Sequence, residues 1–97
     1  EFDESIDAYV VCPKQENFAL AFKTAIELRR AGFKVEYDFN GRSMKSQMKQ
    51  ANKFQAKQVL IFGEDELSRN AVTVRNMATS EQHEIAVNDI ISYFNTL

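Results

Sequence analysis

Residues 58–62 (QVLIF) form an apolar run that ends at Gly63, and this run narrows the possible folds more sharply than any other segment. A strand that is apolar on both faces must be covered on both sides, which is typical of a central strand in an α/β sheet. A second apolar run, residues 7–12 (DAYVVC), ends at Pro13 and predicts another buried strand. Two such strands in a chain of 97 residues indicate one α/β domain with helices on both sides of its sheet.

The rest of the chain alternates between helical and strand-like spacing of apolar residues. The predicted order is strand, helix, strand, helix, strand, strand, strand, helix, over residues 7–12, 15–31, 33–38, 44–55, 58–62, 71–77, 81–87 and 89–97. Strands joined through helices are parallel, whereas the last two strands form an antiparallel hairpin. This order predicts a three-layer α/β sandwich with a mixed five-stranded sheet and three helices. Residues 81–87 fit an early start of the final helix equally well, and both assignments remain open.

Individual residues mark the ends of these elements. Gly32 follows the first helix and is expected to cap its C-terminus. Ser43 is expected to cap the N-terminus of the second helix, and Asn88 that of the last helix. The inner face of the second helix is predicted to consist of Met44, Met48 and Ala51. Residues 64–67 predict a turn or a single helical turn.

One segment is strongly basic, although the whole chain has a net charge of −2. Residues 39–63 contain five basic residues and no acidic one: Arg42, Lys45, Lys49, Lys53 and Lys57. The first three lysines follow a spacing of four, which places them on one face of a helix, about 6 Å apart along its axis. Like charges at this spacing repel by a few tenths of a kcal/mol per pair, a cost that a bound polyanion would remove. An ordinary solvated helix face is the alternative.

Several kinds of functional site are excluded by the residues that are absent. The glycines lie far apart, so the sequence contains no glycine-rich phosphate-binding loop. Cys12 is the only cysteine, which excludes an internal disulfide and a cysteine-based zinc site and fits a reducing compartment. His83 is the only histidine and has no second histidine to act with. No apolar run approaches the roughly 20 residues of a membrane helix. We therefore expect neither catalysis nor a metal site from these residues.

Four stretches together carry a resemblance to a known family. They are GRSMKSQMKQANK (41–53), QVLIFG (58–63), EDEL (64–67) and VRNMATSEQ (74–82). In this combination they resemble the C-terminal anticodon-binding domain of class II aminoacyl-tRNA synthetases, most of all the histidyl-tRNA synthetase family. The resemblance covers essentially the whole chain and implies the same mixed five-stranded sheet with helices on both sides. One departure is Gln55, which stands where the family usually has glycine.

The resemblance implies a function and a set of partners. Residues 7–97 would form an anticodon-binding domain, and residues 1–6 a linker. The domain would bind the anticodon stem-loop of a histidine tRNA in the cytoplasm. The class II motifs for ATP and amino acid are absent from these residues. ATP, magnesium and the ligation of histidine to its tRNA would therefore belong to the catalytic domain of a parent enzyme, itself a homodimer.

The resemblance also implies which residues contact the RNA. The residues expected to read anticodon bases are Asn40, Gly41, Arg42, Glu66 and Arg75. Lys45 and Lys49 are expected to hold phosphates of the stem-loop. The simpler alternatives are that Arg75 pairs with Glu66, that Glu66 is a solvated turn residue and that Asn40 only forms a turn.

Two other functions stay open at this point. One is a regulatory or protein-interaction relative of the same fold that has lost base-specific reading. The other is an unrelated small α/β enzyme that would depend on Cys12 or His83.

Overall fold

Five strands and four α-helices make up most of the described chain, which comprises residues 5–41 and 43–97 of a computed structural model. The strands are Ile6–Val11 (β1), Val35–Tyr37 (β2), Ala56–Ile61 (β3), Ala71–Asn76 (β4) and Gln82–Ala86 (β5). The α-helices are Phe18–Arg30 (α1), Met44–Lys53 (α2), Glu64–Leu67 (α3) and Ile90–Asn95 (α4). Two 3-10 turns, Gln15–Asn17 and Val87–Asp89, precede α1 and α4. None of these helices is long and apolar enough to cross a membrane.

The strands form one mixed five-stranded sheet, as the sequence predicts, and their order in the sheet is β2-β1-β3-β4-β5. β1 runs parallel to both β2 and β3, whereas β4 runs antiparallel to both β3 and β5. One row of partners crosses the whole sheet and consists of Tyr37, Val10, Leu60, Val74 and His83. Residues 82–86 therefore form a strand, and the last helix does not begin early in this segment.

The sheet separates two hydrophobic clusters. The larger cluster lies on the side of α1 and α4 and includes the fully buried Leu28, Phe62 and Ile90. The smaller cluster lies under α2 and consists of Ile6, Tyr9, Val11, Ala51, Ala56 and Val59, with Met48, Ile61 and Met77 packed against it. Because β3 contributes to both clusters, it is apolar along most of its length, as expected for a central strand.

The prediction for the inner face of α2 was wrong at one position. Ala51 is fully buried and Met48 is half-buried, but Met44 is 37% exposed. The place expected for Met44 is taken by Gln47, which is 1% exposed. The Gln47 amide accepts a hydrogen bond from the Cys12 N–H (2.8 Å) and donates one to the Cys12 carbonyl (3.1 Å). Because both ends of the amide are paired, its burial costs little, and the helix turns this side chain inward.

The expected caps at the C-terminus of α1 and at the N-terminus of α2 are confirmed, although α1 begins only at Phe18 and α2 already ends at Lys53. The N–H groups of Gly32 and Phe33 bond to the carbonyls of Arg29 and Leu28, and Gly32 has φ +99°. This is the Schellman arrangement, in which the left-handed position favours glycine. The Ser43 hydroxyl accepts from the Ser46 N–H at 3.1 Å and caps α2.

Asn88 does not cap α4, contrary to expectation. A 3-10 turn over Val87–Asp89 comes first, and the N-cap residue of α4 is Asp89. The Val87 N–H donates to the Asn70 carbonyl at 2.9 Å, which holds the chain against the start of β4. The helix therefore begins one residue later than the sequence pattern suggests.

Candidate functional site

Helix α2 carries the basic face predicted from the sequence. Lys45, Lys49 and Lys53 are all exposed. The two hydrogen bonds of Gln47 to Cys12 fix the rotation of the helix against the end of β1. Lys45 and Lys49 lie two residues before and after Gln47, so they emerge on the opposite, outer side. Sequence reasoning missed Gln47, whose only signal is its spacing of four from Ala51.

Arg75 approaches this basic face from the sheet. Val72 and Val74 belong to the larger cluster beneath α1 and α4. Because side chains alternate along a strand, Thr73 and Arg75 point to the opposite side, where α2 lies. The Arg75 guanidinium donates from Nη1 to Gln82 Oε1 at 3.2 Å, which steadies the side chain over the neighbouring strand.

The basic helix face and Arg75 meet at a shallow open hollow of about 470 Å³. We call it the α2–β4 concavity, and its lining residues are Lys45, Met48, Lys49, Asn52, Arg75 and Met77. The three cations come from an α-helix and a strand about 26–30 positions apart in the chain. Their positive charges therefore converge on one surface, which is suited to a polyanion.

Glu66 lies on the same face of the sheet, nearer the carboxyl ends of β1 and β3. It belongs to α3, which follows β3 directly, and its Oε1 accepts from the Thr73 hydroxyl at 3.4 Å. A Cβ atom built on Gly63 would lie 2.5 Å from Glu66 Oε2, so the carboxylate occupies the space that glycine leaves open. Glu66 is half-buried, which does not fit the alternative of a fully solvated turn residue.

Glu66 and Arg75 do not pair, contrary to one of the alternatives drawn from the sequence. In the described ranges the ion pairs are Arg29–Glu36 and Arg69–Glu84. Thr73, which contacts Glu66, and Arg75 are two residues apart on β4, or about 7 Å along the strand. The carboxylate and most of the guanidinium donors are therefore available to a ligand.

The turn before α2 lies at the same end of the sheet. The Asp38 carboxylate accepts from the Asn40 backbone N–H (3.2 Å) and from its side-chain amide (2.6 Å). Gly41 has φ +78°, a conformation that favours glycine. Asn40 therefore forms the turn as the simpler alternative held, and its side-chain nitrogen is engaged by Asp38. Arg42 lies outside the residues that the structure describes.

The two other candidate reactive side chains, Cys12 and His83, pack against the rest of the domain. Cys12 is buried, and this burial raises the pKa of its thiol to about 11, so it stays protonated at neutral pH. His83 is exposed on β5 and packs edge-on against the Tyr93 ring. Across residues 5–41 and 43–97, no group of three or more His, Cys, Asp or Glu side chains is placed to hold a metal ion.

Comparison with known proteins identifies the family. Residues 7–97 match the family model described as "Anticodon binding domain". The chain belongs to this family. The domain is 43% identical over 91 residues to histidine–tRNA ligase 2 of Bacillus cereus, covering 94% of this chain and 22% of the relative. It is 39% identical over 87 residues to histidine–tRNA ligase of Pyrococcus furiosus, covering 90% of this chain and 20% of the relative. The domain thus spans about a fifth of the length of these curated relatives.

Solved structures agree with this family and with the predicted fold. The apo histidyl-tRNA synthetase of S. aureus matches with a TM-score of 0.88 and 34% identity over 97% of this chain and 25% of that one. The RNA binding domain of threonyl-tRNA synthetase from Cryptosporidium parvum matches with a TM-score of 0.83 over 94% of this chain and 23% of that one. Its 24% identity supports the shared fold alone.

Proposed function

We propose that this domain binds the anticodon stem-loop of a histidine tRNA as part of a histidine–tRNA ligase. The convergence of Lys45, Lys49 and Arg75 on the α2–β4 concavity carries the proposal. A row of lysines on one helix alone would fit a solvated face equally well. A third cation that arrives from the sheet, in a chain of net charge −2, favours a specific polyanion over a solvated helix.

The side chains divide into two roles by their chemistry. Lys45 and Lys49 are exposed point charges suited to phosphates, which set the position of the RNA without reading its sequence. Glu66 offers a carboxylate that accepts hydrogen bonds from the amino and imino groups of an unpaired base. Arg75 offers a guanidinium that donates to base carbonyls or stacks on a base plane.

The turn before α2 supplies the remaining part of the proposed site. Asn40 and Gly41 are exposed there, and Arg42 follows them in the sequence. With its amide nitrogen engaged by Asp38, Asn40 would offer a ligand its carbonyl oxygen.

The similarity to histidine–tRNA ligases supports the wider setting of the domain. We place the linker at residues 1–6 and the domain at residues 7–97. The parent enzyme would be a cytoplasmic homodimer whose catalytic domain uses ATP and magnesium to attach histidine to the tRNA. This domain would contribute binding and no catalysis.

Fluorescence anisotropy of the 97-residue chain with two labelled stem-loops tests the proposal. One loop carries the histidine anticodon, the other has its central base changed, and both are titrated at two salt concentrations. We expect tighter binding of the histidine loop and loss of this preference in Glu66→Gln and Arg75→Ala. Lys45→Ala should weaken both loops equally and reduce the salt slope by about 1.

Lys53→Ala is the matched control, because Lys53 continues the same row but does not line the concavity. It should weaken binding less than Lys45→Ala. Equal, salt-sensitive binding of both loops by the unmodified chain would contradict base reading. That result would favour the relative of the same fold that has lost its specificity.

A further inference from the structure

The floor of the α2–β4 concavity is apolar, although its rim is basic. Met48 and Met77 are half-buried and pack against the smaller hydrophobic cluster beneath α2. Neither side chain is needed to bind a phosphate. Methionine sulfur is polarizable and packs favourably against aromatic rings, so this floor suits a flat aromatic group.

The concavity also holds a neutral polar group that nothing in the described chain engages. Asn52 is exposed, and within residues 5–41 and 43–97 its side-chain amide forms no hydrogen bond. An amide offers both donors and an acceptor, which a phosphate does not require but the edge of a base does. Asn52 lies one helical turn beyond Met48, so its amide and the methionine floor face the same space.

Arg75 adds donors on the opposite wall. Its Nη1 is engaged by Gln82, and this bond leaves the other N–H groups of the guanidinium available. Lys45 and Lys49 flank the opening from α2.

We propose that the α2–β4 concavity binds one unpaired nucleobase of the RNA, with Asn52 as a specificity-determining residue. The base plane lies on Met48 and Met77, and the base edge meets Asn52 and Arg75. The flanking phosphates contact Lys45 and Lys49. Phosphates or carboxylates alone would use the three cations but would leave the methionine floor and the neutral amide unused, so these residues favour a base. This inference rests on the proposed function and adds Asn52, Met48 and Met77 to the site.

An abasic scan tests the inference. Stem-loops with the histidine anticodon are made with one abasic nucleotide at each loop position in turn, and their affinities for the chain are measured by anisotropy. We expect removal of the base that the concavity binds to weaken binding at least about fivefold relative to the intact loop, because a stacked base contributes this much or more. Asn52→Ala and Met77→Ala should weaken the intact loop by a similar factor. Neither variant should weaken that abasic loop further.

Two matched controls accompany the scan. Met44→Ala removes a methionine from the same helix outside the concavity, and Gln50→Ala removes an amide from the same helix outside it. Both should bind all loops as the unmodified chain does. Thermal unfolding of each variant shows that it is folded, and Asn52→Ala is the safer variant because Asn52 is exposed in a helix.

The outcomes separate the two proposals. If the unmodified chain prefers the histidine loop, but Asn52→Ala and Met77→Ala weaken intact and abasic loops by the same factor, the base site is overturned and the proposed function stands. If they weaken no loop at all, the conclusion is the same. If no change of anticodon or loop base affects the unmodified chain, the proposed function itself fails.

Discussion

Gly63→Ala is expected to displace the Glu66 carboxylate while the fold stays intact. The new Cβ would lie 2.5 Å from Glu66 Oε2, whereas ordinary contacts begin near 3.4 Å, so the carboxylate must move by about 1 Å. Gly63 has φ −83° and ψ 152°, a conformation that alanine adopts without strain. The displaced group is the far end of a side chain, and the hydrogen bond it loses, from Thr73, is already long at 3.4 Å.

The unfavourable and favourable effects of Gly63→Ala on the free energy of unfolding nearly cancel. An unfavourable Glu66 rotamer costs about 0.5–1.5 kcal/mol, and alanine returns about 0.4–1 kcal/mol by restricting the unfolded chain. The free energy of unfolding should therefore change by less than about 1 kcal/mol in urea titrations. A shift of about 1 Å breaks a hydrogen bond to a base, and bonds to charged groups contribute about 1.5–3 kcal/mol. Discrimination between the two stem-loops should accordingly fall by about tenfold or more.

A double-mutant cycle with Glu66→Gln checks the mechanism. If Gly63 acts only through Glu66, then Gly63→Ala combined with Glu66→Gln should discriminate no worse than Glu66→Gln alone. Additive losses would refute this reasoning, because alanine would then disturb the RNA by another route. Unchanged discrimination in Gly63→Ala would refute the placement of the carboxylate.

Three further predictions concern the fold that supports the site. Gln47→Met removes both hydrogen bonds to the Cys12 backbone and should lower the free energy of unfolding, measured in urea, by about 2–4 kcal/mol. Gln50→Met, the control, should leave the free energy of unfolding almost unchanged. A loss below about 1 kcal/mol for Gln47→Met would contradict the role of Gln47 in holding α2. Gly32→Ala creates no steric clash, since nothing lies within 4 Å of the new Cβ. Because Gly32 has φ +99°, the alanine should still lower the free energy of unfolding by about 1–2 kcal/mol in thermal unfolding. An unchanged unfolding midpoint would argue against the left-handed cap. The pKa of Cys12 rises from 9.0 to about 11 on folding. The protonated thiol therefore favours the folded state below pH 9. This contribution to stability is lost between pH 9 and pH 11, because the unfolded chain ionises first. Over that interval the unmodified chain should lose about 1–2 kcal/mol more stability than Cys12→Ala, and parallel pH profiles would contradict the shift.

Much of the fold was predictable because local signals and burial agree. The apolar run of β3 belongs to a strand that contributes to both hydrophobic clusters. Gly32 caps the C-terminus of α1 and Ser43 the N-terminus of α2 through hydrogen bonds formed within a few residues. Local patterns were misleading where a long-range bond decided the position. Gln47 is buried because Cys12, 35 residues away, satisfies its amide, and this displaced Met44 to the surface. In the same way, the bond from Val87 to Asn70 delayed the start of α4.

The amino-acid sequence by itself determined the order of the elements and the basic character of α2. These properties follow from composition and from spacing over a few residues, and need no knowledge of which strands are neighbours. Only the tertiary structure decided that Arg75 joins Lys45 and Lys49 at the α2–β4 concavity, and that Glu66 rests against Gly63 instead of pairing with Arg75. The reason is physical: the antiparallel pairing of β4 with β3 sets which face of the sheet each side chain occupies and how far along the strand it lies.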